Sequence, residues 1–133
     1  EDARVALLLA VLDRRSSIDL LSQDVYAKAA GGVRVAEPAA DLGIALAIAS
    51  SRLNLAVPAD TAAIGEIGLG GEIRRVSRVD VRLGEAGRLG FRRLLVPAVV
   101  IANMLAEEGG QGLFGLGVSF YICFQVACVD EFE

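Results

Sequence analysis

The stretch GEIGLGGEIRRVSRVDVRLGEAGRLGFRRLLVP, Gly65–Pro97, constrains the fold more than any other part of the chain, because its periodicity changes twice over a short distance. Thr61–Ile67 carries the β-branched and apolar residues of a strand, Gly68, Gly70 and Gly71 permit a tight reversal, and Glu72–Val76 supplies a second arm. Between Ser77 and Leu89 the spacing becomes helical. Val79, Leu83, Ala86 and Leu89 form one apolar stripe, and Gly90 stands where a C′ glycine ends a helix. Phe91–Val96 is then a short buried strand closed by Pro97. A glycine-rich turn of this kind is also what phosphate loops use. GLGGEIRR lacks the lysine-serine pair of such a loop, and no helix follows it directly, so the glycines are read as hairpin geometry.

The flanking segments fit the same pattern. Val5, Leu8, Leu9 and Leu12 recur at helical spacing through Ala3–Arg15, with Asp2 placed to cap the start and Arg14 and Arg15 at the negative end of the dipole. Ser16–Ser22 is a connection. Val25, Ala27 and Ala29 alternate with Tyr26 and Lys28, and Val33 and Val35 follow Gly31 and Gly32, which predicts a β-hairpin. Pro38 and Asp41 open a helix over Ala39–Leu53 that is apolar on most sides and is expected to be covered on most sides. Helices alternating with strands and hairpins indicate an α/β or α+β domain with a mixed sheet.

A length of 133 residues, 54% of them hydrophobic and 23% charged, gives one domain with ample core material. The net charge of −4 excludes a protein that is basic throughout. It hides a local reversal: between Glu72 and Arg93 seven arginines face only Glu72, Asp80 and Glu85. The chain has no histidine, which removes Ser-His and Cys-His catalysis together with the commonest metal ligand. Cys123 and Cys128 stand in one apolar run and are read as buried thiols, neither a zinc site nor a disulfide framework. Serine-lysine chemistry remains, and Lys28 is the single lysine available to it.

Beyond Pro97 the character changes. Ala98–Ala106 is helix-compatible, and Gly109–Val129 carries no charge. Its length makes it a membrane candidate, but its first half is glycine-rich and its flanks are acidic (Glu107, Glu108; Asp130, Glu131, Glu133), so Val118–Val129 is read as a strand and a span is not expected. The domain is expected over residues 1–97, and 98–133 is treated as an apolar tail of separate character. Glu1 leads almost directly into an apolar helix, as in a piece of a longer chain, with no secretory signal pattern.

AEPAADLGIALAIASS (Ala36–Ser51) and Gly65–Pro97, together with ALLLAVLDRR and DVYAKAAGGVRV upstream, resemble in order and spacing the C-terminal Lon-protease-like domain of the RadA/Sms DNA-repair ATPases. The resemblance implies a ribosomal-protein-like α/β fold with a mixed sheet and a left-handed βαβ crossover, assembly into hexameric rings, and a bacterial cytoplasmic or organellar setting. It also implies that ATP, magnesium and zinc belong to upstream parts of such proteins, with no cofactor in this chain. The two positions of the Lon catalytic dyad fall on Ala39 and Arg82. Alanine offers no nucleophile and arginine stays protonated, so a degenerate protease site without enzymatic activity is expected.

For the arginines the resemblance implies DNA contact in recombination and branch migration. Arg74, Arg75, Arg78 and Arg82 are the candidate residues, binding phosphates without sequence preference. The competing reading pairs them with Glu72, Asp80 and Glu85 as ordinary surface charge. Another competing function is a Lon-type serine-lysine peptidase using Lys28, and a third is ring assembly alone.

Overall fold

A computed structural model describes residues 3–100, the backbone of Asp2, and the backbone of 117–119 and 126–130. The fold is a mixed α/β arrangement. Its elements are α1 (Asp2–Ser16), α2 (Asp41–Leu53), β1 (Thr61–Ala63), β2 (Glu66–Ile67), β3 (Ile73–Arg74), α3 (Val79–Arg88), β4 (Arg93–Pro97), β5 (Gly117–Ser119) and β6 (Val126–Asp130).

The main sheet has the order β1–β4–β6–β5. β1 runs parallel to β4, with Thr61 opposite Arg93 and Ala63 opposite Leu95, while β6 is antiparallel to both β4 and β5. A parallel pair needs a crossover, and here the crossover carries the β2–β3 hairpin and α3. Thr61–Ile67, expected as one strand, is divided into β1 and β2. Gly65 marks the break: a Cβ there would stand 3.1 Å from Ile73 and 3.3 Å from Leu42, and its N–H donates to the carbonyl of Ala39 at 2.9 Å. A side chain at this point would crowd Ile73 and Leu42, so glycine eases the passage of the strand from one sheet to the other.

The α3 stripe packs Val79, Leu83 and Ala86 against Leu94 and Val96 of β4, with Ala39, Val76, Val100 and part of Ala62, Ile64 and Phe91 completing the cluster. Leu89, the fourth residue of the expected stripe, is exposed because it lies past the last helical turn. That turn is a Schellman closure, in which Phe91 N–H donates to the Ala86 carbonyl and Gly90 N–H to that of Gly87, with Gly90 at φ +88°. Asn54, at φ 53°, ends α2 in the same way. A second cluster, Leu8, Val11, Ala45 and Ile67 with Leu12 and Ile44 against it, joins α1, α2 and the hairpin.

Two expectations need correction. The segment from Asp24 to Glu37 forms no hairpin; its only regular feature is a single 3₁₀ turn at Ala30–Gly32. None of its alternating apolar positions is buried, with Val33 64% and Tyr26 93% exposed, so the covered apolar face that would hold two strands together is missing. α2 is also less covered than expected. One face, including Gly43, Ile44, Ala47 and Ile48, lines an open cleft of about 820 Å³ whose far wall is residues 23–29.

Of the tail, residues 98–100 are helical, and β5 and β6 supply strand where Val118–Val129 was read as one. The remainder of Ala98–Ala106, the stretch between β5 and β6, the side chains of Cys123 and Cys128, and the capping role of Asp2 lie outside the described residues. No helix among the described residues is long and apolar enough to cross a membrane.

Candidate functional site

The two positions singled out by the Lon comparison share one place. Pro38–Ala40 forms a 3₁₀ turn entering α2, and Arg82 stands one turn into α3; Ala39 and Arg82 line the same cleft of about 440 Å³, with Glu37, Ile64, Val81 and Phe91 around it. Arg82 is fastened there. Its Nε donates to the Ser77 carbonyl at 2.9 Å, and its Nη2 stands 3.3 Å from Glu37. Lys28 lies elsewhere, on the wall of the larger cleft beside α2. The two clefts meet at Ala40 and Ala63, and Lys28 is not among the residues around Ala39 and Arg82.

The four arginines proposed to bind phosphate divide into two kinds. Arg74, on β3, meets Glu66 across the hairpin at 3.6 Å and bonds Glu72, and Arg82 meets Glu37. Arg75 and Arg78 are exposed, and among the described residues neither has a carboxylate partner. Arg78 precedes α3 with φ 54°, a left-handed backbone that is uncommon for a residue with a side chain, and its side chain does not cap the helix. Farther along, Arg88 takes Glu85 as its partner, which lowers the glutamate pKa and raises that of the arginine, and Arg93 Nη1 bonds Asp60 at 2.8 Å. The positive surplus counted in the sequence is therefore concentrated, since several of its members are already neutralised.

Glu72 explains part of this concentration. Its carboxylate folds back over the glycines of the turn, close enough that a Cβ on Gly68 would collide with it. Its own backbone N–H, the Arg74 guanidinium and the N–H of Gly70 hold its pKa below the ordinary carboxylate value. The charge of Glu72 is thus paired with Arg74 at the surface of the hairpin.

Sequence reasoning missed the most buried ion pair among the described residues. Asp41, 6% exposed, was read only as a favourable residue near a helix start. Its Oδ2 accepts from Ile67 N–H at 3.2 Å, and its Oδ1 stands 2.9 Å from Arg4 Nε, an ion pair whose angle falls short of an aligned hydrogen bond. Arg4 Nη1 also donates to the Val35 carbonyl at 3.1 Å. One carboxylate thereby ties α1, α2 and β2 together. The sequence signal was faint: a lone arginine on the helical face of ARVALLL and an aspartate just after Pro38. No group of three or more His, Cys, Asp or Glu among the described residues is placed to hold a metal ion.

Residues 28–99 match the family model described as subunit ChlI of Mg-chelatase. Among curated proteins, the chain is 54% identical over 94 residues to the DNA repair protein RadA of Halalkalibacterium halodurans, covering 71% of this chain and 21% of that protein. It is 49% identical over 117 residues to that of Bacillus subtilis (87% and 25%), and 45% identical over 106 residues to that of Streptococcus pyogenes serotype M3 (80% and 23%). The chain thus spans at most about a quarter of the length of these relatives. The family match covers more than half of the chain and includes the cleft, the hairpin and the arginine face. The chain belongs to the family that the ChlI model describes, and over most of its length it is a homologue of the DNA repair proteins named RadA.

Proposed function

We propose that this chain is a non-catalytic DNA-binding and oligomerisation domain of a RadA-type repair and recombination protein, with a Lon-like fold that includes a left-handed βαβ crossover. The observation that carries the reading is the pair Arg75 and Arg78, exposed and without carboxylate partners among the described residues, on a face where the nearby glutamates are already engaged. A guanidinium with no internal partner is free to bond phosphate oxygens, and such contacts are sequence-independent and salt-sensitive. The names of the relatives support the assignment to DNA repair. Arg74 and Arg82, tied to Glu66, Glu72 and Glu37, are given a supporting part.

The absence of chemistry is supported by the cleft itself, where an alanine and a fastened arginine occupy the positions that a serine and a lysine would need. The domain would work in bacterial cytoplasm or an organelle, as part of a hexameric ring. ATP, magnesium and zinc are assigned to parts of the protein other than this chain.

The test is binding to duplex DNA across a salt series. R75E/R78E is expected to weaken binding at every salt concentration, and the neutral R75A/R78A to reduce the salt slope by about 2, one for each phosphate that is no longer neutralised. Unchanged affinity would remove both arginines from the interface. Peptide hydrolysis that disappears in Lys28→Ala would overturn the non-catalytic reading, and a monomer by sedimentation at working concentration would overturn the ring.

A further inference from the structure

The turn of the β2–β3 hairpin has an unusual neighbour. Arg15, in the last turn of α1, lays its aliphatic stem over Gly71, so close that a Cβ on that glycine would stand 2.9 Å from Arg15 Cγ. Gly71 sits at φ +86°, and the turn is closed by Gly68 N–H to the Glu72 carbonyl at 2.8 Å and Gly71 N–H to the Gly68 carbonyl at 2.9 Å. At the apex, Leu69 is 72% exposed. The tip surface consists of Leu69, glycine backbone and the exposed carboxylate of Glu72, which lies against Gly68 and Gly70 with its charge paired to Arg74, while Arg15, exposed and without an acidic partner among the described residues, crosses over Gly71. Arg75 follows the second arm of the same hairpin.

We infer that this tip inserts into the minor groove of duplex DNA, with Leu69 as an apolar wedge at a base step and Arg15 beside it on the phosphates. The inference rests on the DNA-binding reading above and adds to it a second element, α1, and a mode of engagement. The chemistry favours this groove. A β-ribbon lying in the major groove reads base edges with polar side chains, and Leu69-Gly70-Gly71 has none to offer. A narrow tip that presents one apolar side chain flanked by arginine matches the way wedge residues enter the minor groove and widen a base step. The glycines on either side of Leu69 keep the tip slim enough to enter.

The experiment compares the chain with its R15Q, R15K, L69A and R75A variants, using an end-labelled duplex of about 30 base pairs, long enough for a bend to be read, for both affinity across salt and bending by energy transfer. R15Q keeps most of the stem over Gly71 but removes the charge, and is expected to lower the salt slope by about 1, which R15K restores. L69A is expected to leave the salt slope unchanged, to abolish the bend, and to weaken binding about tenfold, the size expected for one leucine side chain returned to water. Circular dichroism melts that overlay with the parent exclude unfolding as the cause. If the chain binds duplex and R75A weakens it while R15Q and L69A match the parent in slope, affinity and bend, the tip is not inserted and the broader DNA reading stands. If the parent chain does not bind duplex at any salt, the broader reading fails and the wedge fails with it.

Discussion

Two segments of this chain carry nearly the same local signal, a glycine pair between alternating apolar residues, and only one of them becomes a hairpin. At Gly68–Gly71 the arms pair in register, with Glu66 opposite Arg74 and Ile67 opposite Ile73. At Gly31 and Gly32, φ +72° and +69°, the chain turns but the arms do not pair. What separates them is the surroundings. Ile67 is buried against Leu8, Val11 and Ala45, its N–H is held by Asp41, and Arg15 covers Gly71. Nothing lies within 4 Å of where a side chain would grow from Gly31 or Gly32. A turn sequence permits reversal, and the apolar area available behind the arms decides whether they zip.

The contrast can be broken most severely at Asp41. Replacing it by alanine strands the half-buried Arg4 and the Ile67 N–H, and is expected to cost about 3 kcal/mol in chemical denaturation, loosening the β2–β3 arms as seen in amide exchange. Asp41→Asn, which keeps an acceptor for Ile67, should cost less. Gly71→Ala comes next, at about 2 kcal/mol by the same measurement, because the left-handed backbone and the Arg15 contact both resist a methyl group. Gly31→Ala meets open space but keeps the left-handed cost of φ +72°, and its expected loss is about 1 kcal/mol. A loss as large as that of Gly71→Ala would mean that the 24–37 segment is anchored as firmly as the hairpin.

The smallest effect lies in acid. Asp13 accepts from the N–H groups of Leu20 and Leu21 at 2.8 and 3.1 Å, which lowers its pKa, and Glu72 is lowered by the N–H groups of its turn and by Arg74. A carboxylate whose pKa is lower folded than unfolded adds stability above the unfolded value, and that stability is lost as pH falls through the folded one. Melting temperature should therefore decline below the ordinary carboxylate range, and Asp13→Asn and Glu72→Gln should each flatten that decline. An unaltered acid limb in Glu72→Gln would show that the hairpin does not depend on the folded-back carboxylate.

Much of this molecule was legible in order along the chain. The helices α1, α2 and α3, the glycine at the end of α3, the reversal at Gly68–Gly71 and the strand before Pro97 follow from 3.6- and 2-residue periodicity and from backbone freedom, which are local properties. The candidate arginines were legible as a charge surplus. Which of them are spent was not, because Arg74 and Arg82 find Glu66 and Glu37 through pairing and packing that their sequence spacing does not specify.

The sequence by itself determined the absence of histidine chemistry, the alanine and arginine at positions 39 and 82 and the periodic elements, since each depends on residue identity or near-neighbour geometry. The tertiary structure decided the rest: that Thr61–Ile67 divides between two sheets at Gly65, that Asp41 is a buried anchor, and that Ala39 and Arg82 line one cleft. It also placed Arg15 over the hairpin turn. These depend on segments far apart in the chain competing for the same apolar surface, and burial of that surface is a property of the whole fold.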